Sequence, residues 1–190
     1  MIESVAEPTI PDLRHRLWVA ETLAALPGVR HGATGRLPGL PGEGNVGFGP
    51  PRDRSLASLW RRRWADAIGV DHDRLTAARQ VHGVAVLRVE AAGAGRGATP
   101  GSEPIGTADA LMTDVPGVPL LSLHADCQPI FFADPVRRVV AVAHAGWRGA
   151  VADVAGRTVL ALADAYGSDP ADLVVALGPA IGGELYEVGP

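Results

Sequence analysis

The chain has 190 residues and 47% hydrophobic content, which suits one domain burying roughly 70% of its unfolded surface and excludes a disordered chain. A net charge of −4 and a pI of 5.8 speak against the basic face of a nucleic-acid binder, and the single cysteine excludes an internal disulfide. No apolar run approaches the ~20 residues of a membrane span, and the opening MIESVAEPTIPDLRHR lacks the apolar stretch of a secretory signal, so a cytoplasmic protein without membrane or nucleic-acid partners is expected.

Residues 10–26 are expected to form a helix, with Pro11 in its first turn and Leu13, Leu17 and Ala20 at helical spacing. Residues 28–53 hold eight glycines and four prolines and read as loop, with Arg36 and Asn45 among its few functional groups. A second helix is expected over 55–68, capped by Ser55. Leu56, Leu59, Trp60, Trp64 and Ala67 form its apolar face, and Arg61, Arg62 and Arg63 face solvent. Residues 75–89 read as two short strands around His82-Gly83, followed by a surface loop over 93–106 that carries no nucleotide fingerprint.

Four strand-like runs follow: 108–113, 118–125, 129–134 and 138–145. Two of them are almost unbroken in apolar residues, as in strands buried on both faces. A long helix is expected over 148–166, with Val151, Val154, Thr158, Leu162 and Ala165 on one side. A buried strand over 172–178 and a Gly-rich turn over 178–190 close the chain, and further residues are expected beyond 190 in the full-length protein.

Three potential metal ligands stand at strand ends: His82 in RQVHG, Cys127 in HADCQP and His144 in AHAGWRG. Polar groups collect at such edges because the sheet positions them and the loop exposes them. Two imidazoles and a thiolate suit zinc with an open fourth position, and copper(I) also accepts this set. Taken singly, each histidine reads more readily as a surface or hydrogen-bonded group than as a ligand, and the cysteine as a small hydrophobe. The gaps of 45 and 17 residues match no short zinc-finger spacing.

Trp147 and Arg148 fall at a strand-to-helix turn, where an anion is favoured. Arg148 adds a bidentate partner for phosphate, and Trp147 a flat surface for a ring. With no lysine in the chain, every cationic contact must come from arginine. Asp109 and Asp126 are the candidate acids, either as general acid–base groups or as partners that orient a ligand histidine. His124, two residues before Asp126, is expected to line the same face.

Together RQVHG, ADALMT, HADCQPIFFAD, VVAVAHAGWRGAV and GPAIGGELYEVG resemble, in order and spacing, the laccase-domain (multicopper polyphenol oxidase-like) family. Its members are also called purine nucleoside phosphorylases and peptidoglycan editing factor family proteins. The resemblance covers residues 28–190 and leaves 1–27 as an N-terminal helical extension. It implies an α+β fold in which mixed β-sheet layers are covered by helices. It also implies one zinc site at His82, Cys127 and His144, and phosphorolysis of adenosine, inosine, guanosine and methylthioadenosine, with adenosine deamination at the same site. Asp109, Asp126 and Arg148 are then the catalytic candidates, and Arg148, Trp147, His124 and Asn45 the substrate-binding ones. A monomer or small homo-oligomer is expected.

The chain departs from the family at His124, where a small residue or threonine is usual, and at Gly-Gly-Glu-Leu before Tyr186. Two rivals remain. Copper-dependent oxidation of phenols needs several coppers and more than the six histidines present. Editing of peptidoglycan precursors would use Cys127 as a nucleophile.

Overall fold

In the computed structural model, residues 12–187 are described. Four α-helices form among them: α1 (Glu21–Ala24), α2 (Arg54–Ile68), α3 (Trp147–Val151) and α4 (Val154–Tyr166). The strands are β1 (Thr76–Ala77), β2 (Val86–Arg88), β3 (Ala110–Thr113), β4 (Leu120–Leu121), β5 (Gln128–Asp134), β6 (Val139–Ala145) and β7 (Val174–Leu177). Five strands join in the order β2-β3-β6-β5-β7, while β1 and β4 form a separate parallel pair. Only β2 and β3 run parallel in the larger sheet.

The period-2 alternation of the strands divides the core between two faces. Met112, Ile130, Phe132, Ala141 and Ala143 meet Val154 and Leu162 of α4 on one face. Leu111 and Val142 turn to the other, against Val89, Val118 and half-buried Phe131. The apolar run of β6 is therefore covered on both sides, as its sequence predicts. The whole is a single α+β domain with mixed strands and covering helices.

Helix α2 forms where expected, but its cap is Asp53, whose carboxylate accepts from Ser55 N at 2.8 Å and Leu56 N at 3.1 Å. Trp60 and Trp64 are buried and tie the preceding loop to the helix through Pro41 O at 2.8 Å and Gly44 O at 3.3 Å. Arg61, expected in solvent, is buried at 3% exposure. Its Nε donates to Val46 O and its Nη1 to Ala98 O, both at 2.7 Å, and its guanidinium lies 3.8 Å over the Phe48 ring. Burial pushes its pKa down to about 10, so it stays charged. Arg62 and Arg63 are exposed.

Other elements break where tertiary contacts outweigh local propensity. The expected helix over 10–26 is a 3-10 turn at Leu13–Arg16 followed by α1, and Pro11 lies outside the described residues. Between them Trp18 and Ala33 exchange two backbone bonds of 2.9 Å, which a continuous helix could not make. So short a helix has little stability of its own to set against that pairing.

The run 118–125 pairs only at Leu120–Leu121, after which the chain leaves to carry His124 and Cys127. The helix over 148–166 is divided at Asp153, which adopts φ 63° and caps α4 by accepting from Gly156 N at 3.0 Å. Val154, Thr158 and Leu162 stay buried, while the break leaves Val151 84% exposed, and Ala165 is exposed as well. β7, expected to be buried, is an edge strand paired with β5, with Val175 and Leu177 exposed. No helix among the described residues is long and apolar enough to cross a membrane.

Candidate metal centre

His82, Cys127 and His144 come together. One potential ligand atom from each lies within 4.8 Å of the others. The trio grades from surface to core: His82 is exposed, Cys127 half-buried and His144 buried. The His82 and His144 rings meet edge to face at 4.8 Å. His144 is the penultimate residue of β6, Cys127 immediately precedes β5 rather than ending a strand, and His82 lies in the loop between β1 and β2. Antiparallel register places Gln128 opposite Ala145, which brings Cys127 to the end of β6.

Asp109, 2% exposed, organises this arrangement. Its Oδ1 accepts from His144 Nδ1 at 2.9 Å and from His82 N at 2.9 Å. Its Oδ2 accepts from Val81 N at 3.1 Å and Gly83 N at 2.8 Å. Three successive N–H groups thus cradle one carboxylate, a nest that holds His82 at a left-handed φ of 60°. Burial pushes the Asp109 carboxyl up, but the bonds from His144 and then from the backbone of Gly83, Val81 and His82 outweigh it. The net pKa lies below the ordinary aspartate value.

An ionised carboxylate only accepts hydrogen bonds, so His144 Nδ1 carries the proton, and the neutral ring then offers the Nε2 lone pair. That is the tautomer a metal ligand needs, and a carboxylate behind a ligand histidine is its usual support.

Two further residues, absent from the sequence-based candidates, complete the centre. Gln80 clamps the loops together: its Nε2 donates to Leu123 O and its Oε1 accepts from Leu123 N, both at 2.8 Å. This ties the His82 loop to the one bearing Cys127. Gly146 is the other. A Cβ there would lie 2.6 Å from His82 Cδ2 and 3.1 Å from Cys127 Sγ. Its place in HAGWRG, two residues after a candidate ligand, was the available signal. Gln80 had only its position in RQVHG.

The donor set fits zinc. Tetrahedral bonds of ~2.0 Å to nitrogen and ~2.3 Å to sulfur place ligand atoms about 3.5 Å apart. A set already within 4.8 Å reaches that by small side-chain adjustment.

The remaining candidates divide by position. The His124 ring lies 5.1 Å from that of His144, and its Nε2 is buried with no hydrogen-bond partner among the described residues. Burial and then the neighbouring His144 push its pKa down to about 4. Trp147 and Arg148 follow Gly146 in α3, both exposed, with the guanidinium 4.2 Å from the indole centroid. Asp126 is exposed beside Cys127. Asn45 sits in the loop fastened to α2 and donates to Gly47 O at 3.1 Å, and Arg36 pairs with Glu43.

This sheet, with a His–Cys–His centre at the ends of β5 and β6, is that of a laccase-domain protein. Residues 30–190 match the family model described as multi-copper polyphenol oxidoreductase laccase, and the chain belongs to that family. Relatives are named for a different chemistry. A purine nucleoside phosphorylase of Streptomyces coelicolor is 40% identical over 144 residues, 76% of this chain and 56% of the relative. One from Deinococcus radiodurans is 41% identical over 129 residues, 68% of this chain and 46% of the relative. The crystal structure of YlmD from Geobacillus stearothermophilus superposes with a TM-score of 0.72 at 36% identity, covering 76% of this chain and 53% of that one. The chain spans about half the length of the curated relatives it matches.

Proposed function

We propose that this chain carries the zinc centre of a purine nucleoside phosphorylase acting on adenosine, inosine, guanosine and methylthioadenosine, with adenosine deamination at the same centre. The observation that carries the reading is the His82–Cys127–His144 trio with Asp109 locking His144 in its ligand tautomer, in a chain whose relatives bear that name.

Zinc held by His82, Cys127 and His144 would supply Lewis acidity at the exposed His82 side of the trio. Asp109 acts as a positioning residue, because its two oxygens already accept four hydrogen bonds. Asp126, exposed beside Cys127, is the carboxylate left free to take part in proton transfer at a departing purine. Arg148 pairs with phosphate through its planar fork while resting on Trp147, whose indole offers a stacking surface for the base. His124, neutral near pH 7, presents a hydrogen-bonding nitrogen rather than a charge. Asn45 would join only if substrate bridges from the α2 loop. A cytoplasmic monomer or small homo-oligomer is part of the same reading.

The test is incubation of zinc-loaded protein with adenosine, with and without phosphate, followed by separation of adenine, inosine and hypoxanthine. Adenine that forms only with phosphate, and vanishes in Cys127→Ser, is the expected result. Arg148→Ala should raise the KM for phosphate about 10-fold or more, the loss of one charged bidentate contact. Absence of all three products from metal-loaded protein sinks the proposal.

A further inference from the structure

The proposed centre has a neighbour that its chemistry has not used. The segment after β7 folds back over the loop that holds Cys127. Gly178 N donates to Pro129 O at 2.9 Å, Ile181 N donates to Asp126 O at 3.0 Å, and the Gln128 side chain donates to Gly178 O. A turn closed by Leu185 N on Gly182 O at 2.9 Å then delivers the next residue, Tyr186, to the thiol. Its hydroxyl lies 4.0 Å from Cys127 Sγ, and both side chains are half-buried. Two backbone bonds and one side-chain bond, made to residues on both sides of Cys127, thus register this segment against the centre.

We infer that Tyr186 is a positioning residue of the metal centre, its phenol O–H donating a hydrogen bond to the Cys127 thiolate. The direction follows from chemistry. A thiolate bound to a metal has no proton, so it can only accept, and the phenol must donate. A hydrogen bond to a ligand sulfur withdraws electron density from it. A metal held there would take less charge from the thiolate and act as a stronger Lewis acid. The bond also fixes the rotamer that keeps Sγ aimed at the two imidazoles. The segment from Gly178 to Tyr186 thereby becomes one wall of the centre.

This inference rests on the metal-centre reading, and the experiment separates their failures. The chain is loaded with cobalt(II) in place of zinc, and the near-ultraviolet thiolate-to-cobalt charge-transfer band is recorded. Cys127→Ser should abolish the band, which assigns it. Tyr186→Phe should still bind cobalt in the same stoichiometry, with the band moved to longer wavelength because an unbonded sulfur gives up its electrons more easily. Cobalt should dissociate from the variant roughly 10-fold more readily, as for other losses of a partner behind a metal ligand. Tyr186→Leu should shift the band in the same direction, since the effect belongs to the hydroxyl and not to the ring. A band and affinity unchanged in Tyr186→Phe overturn the inference while leaving the centre intact. A wild-type chain that binds neither zinc nor cobalt overturns the centre and the inference together.

Discussion

At the scale of single residues, the candidate centre depends on one missing side chain as much as on the His82, Cys127 and His144 trio. Gly146 has φ −71° and ψ 167°, a conformation that alanine adopts freely. Its cost as alanine is therefore local: the new Cβ meets His82 Cδ2 at 2.6 Å and Cys127 Sγ at 3.1 Å. Gly146→Ala should weaken metal binding at least ~10-fold, as displacement of ligand positions does. Its metal-free melting temperature should stay within a few degrees of wild type, as for a substitution compatible with the backbone. Metal titration paired with thermal melting checks this, and unchanged affinity would show that the His82 ring turns aside without leaving the ligand set. His82, Cys127 and His144 were legible in the sequence as residue types at strand ends, and the joint motif order singled them out. The nest that Asp109 makes was not legible, because it depends on a left-handed turn at His82 with no glycine to mark it.

At the scale of elements, the β5–β6 hairpin offers a second test. Asp134 ends β5, is 2% exposed, and accepts from Val136 N at 2.9 Å and Arg137 N at 2.8 Å. Burial raises its pKa, but the hydrogen bond from Arg137 and its companions outweigh that and hold the carboxyl below its ordinary value of 3.8. A lowered folded pKa means that the ionised form stabilises the protein, fully above the unfolded pKa and no longer once the pH falls through the folded one. Asp134→Asn should therefore cost about 1–3 kcal/mol at pH 7, the range for a charged buried hydrogen-bonding group. Urea unfolding at pH 7 and at successively lower pH, down through the folded pKa, should show the two proteins converging in acid. A constant difference across that range would remove Asp134 from the acid response. Helix α2 shows the limits of reading at this scale. Its apolar spacing predicts the helix, but Arg61 sits on the buried side because carbonyls of Val46 and Ala98 await it there.

At the scale of the whole molecule, the centre joins segments far apart in the chain. Gln80 reaches Leu123 across 43 residues, and Asp109 reaches His144 across 35. A metal held only by the folded arrangement stabilises that arrangement by mass action. Zinc at about 100 times its dissociation constant should add about 2.7 kcal/mol, or about 5–10 °C in Tm for a chain of this size. Differential scanning calorimetry with zinc and with chelator measures the shift. Cys127→Ser should abolish it, and a shift that survives in Cys127→Ser would place the binding elsewhere.

The sequence by itself determined the doubly covered β6, the extent of α2, the candidate His–Cys–His trio and the family. Each is written in neighbouring residues, as an unbroken apolar run, a 3.6-residue period or a short motif. Only the tertiary structure decided that 10–26 and 148–166 break, that β7 is an exposed edge, that Arg61 is buried, and that Asp109, Gln80, Gly146 and Tyr186 surround the metal ligands. Those features arise from partners tens of residues away, whose hydrogen bonds and close approaches outweigh local propensity once the sheet has brought them together.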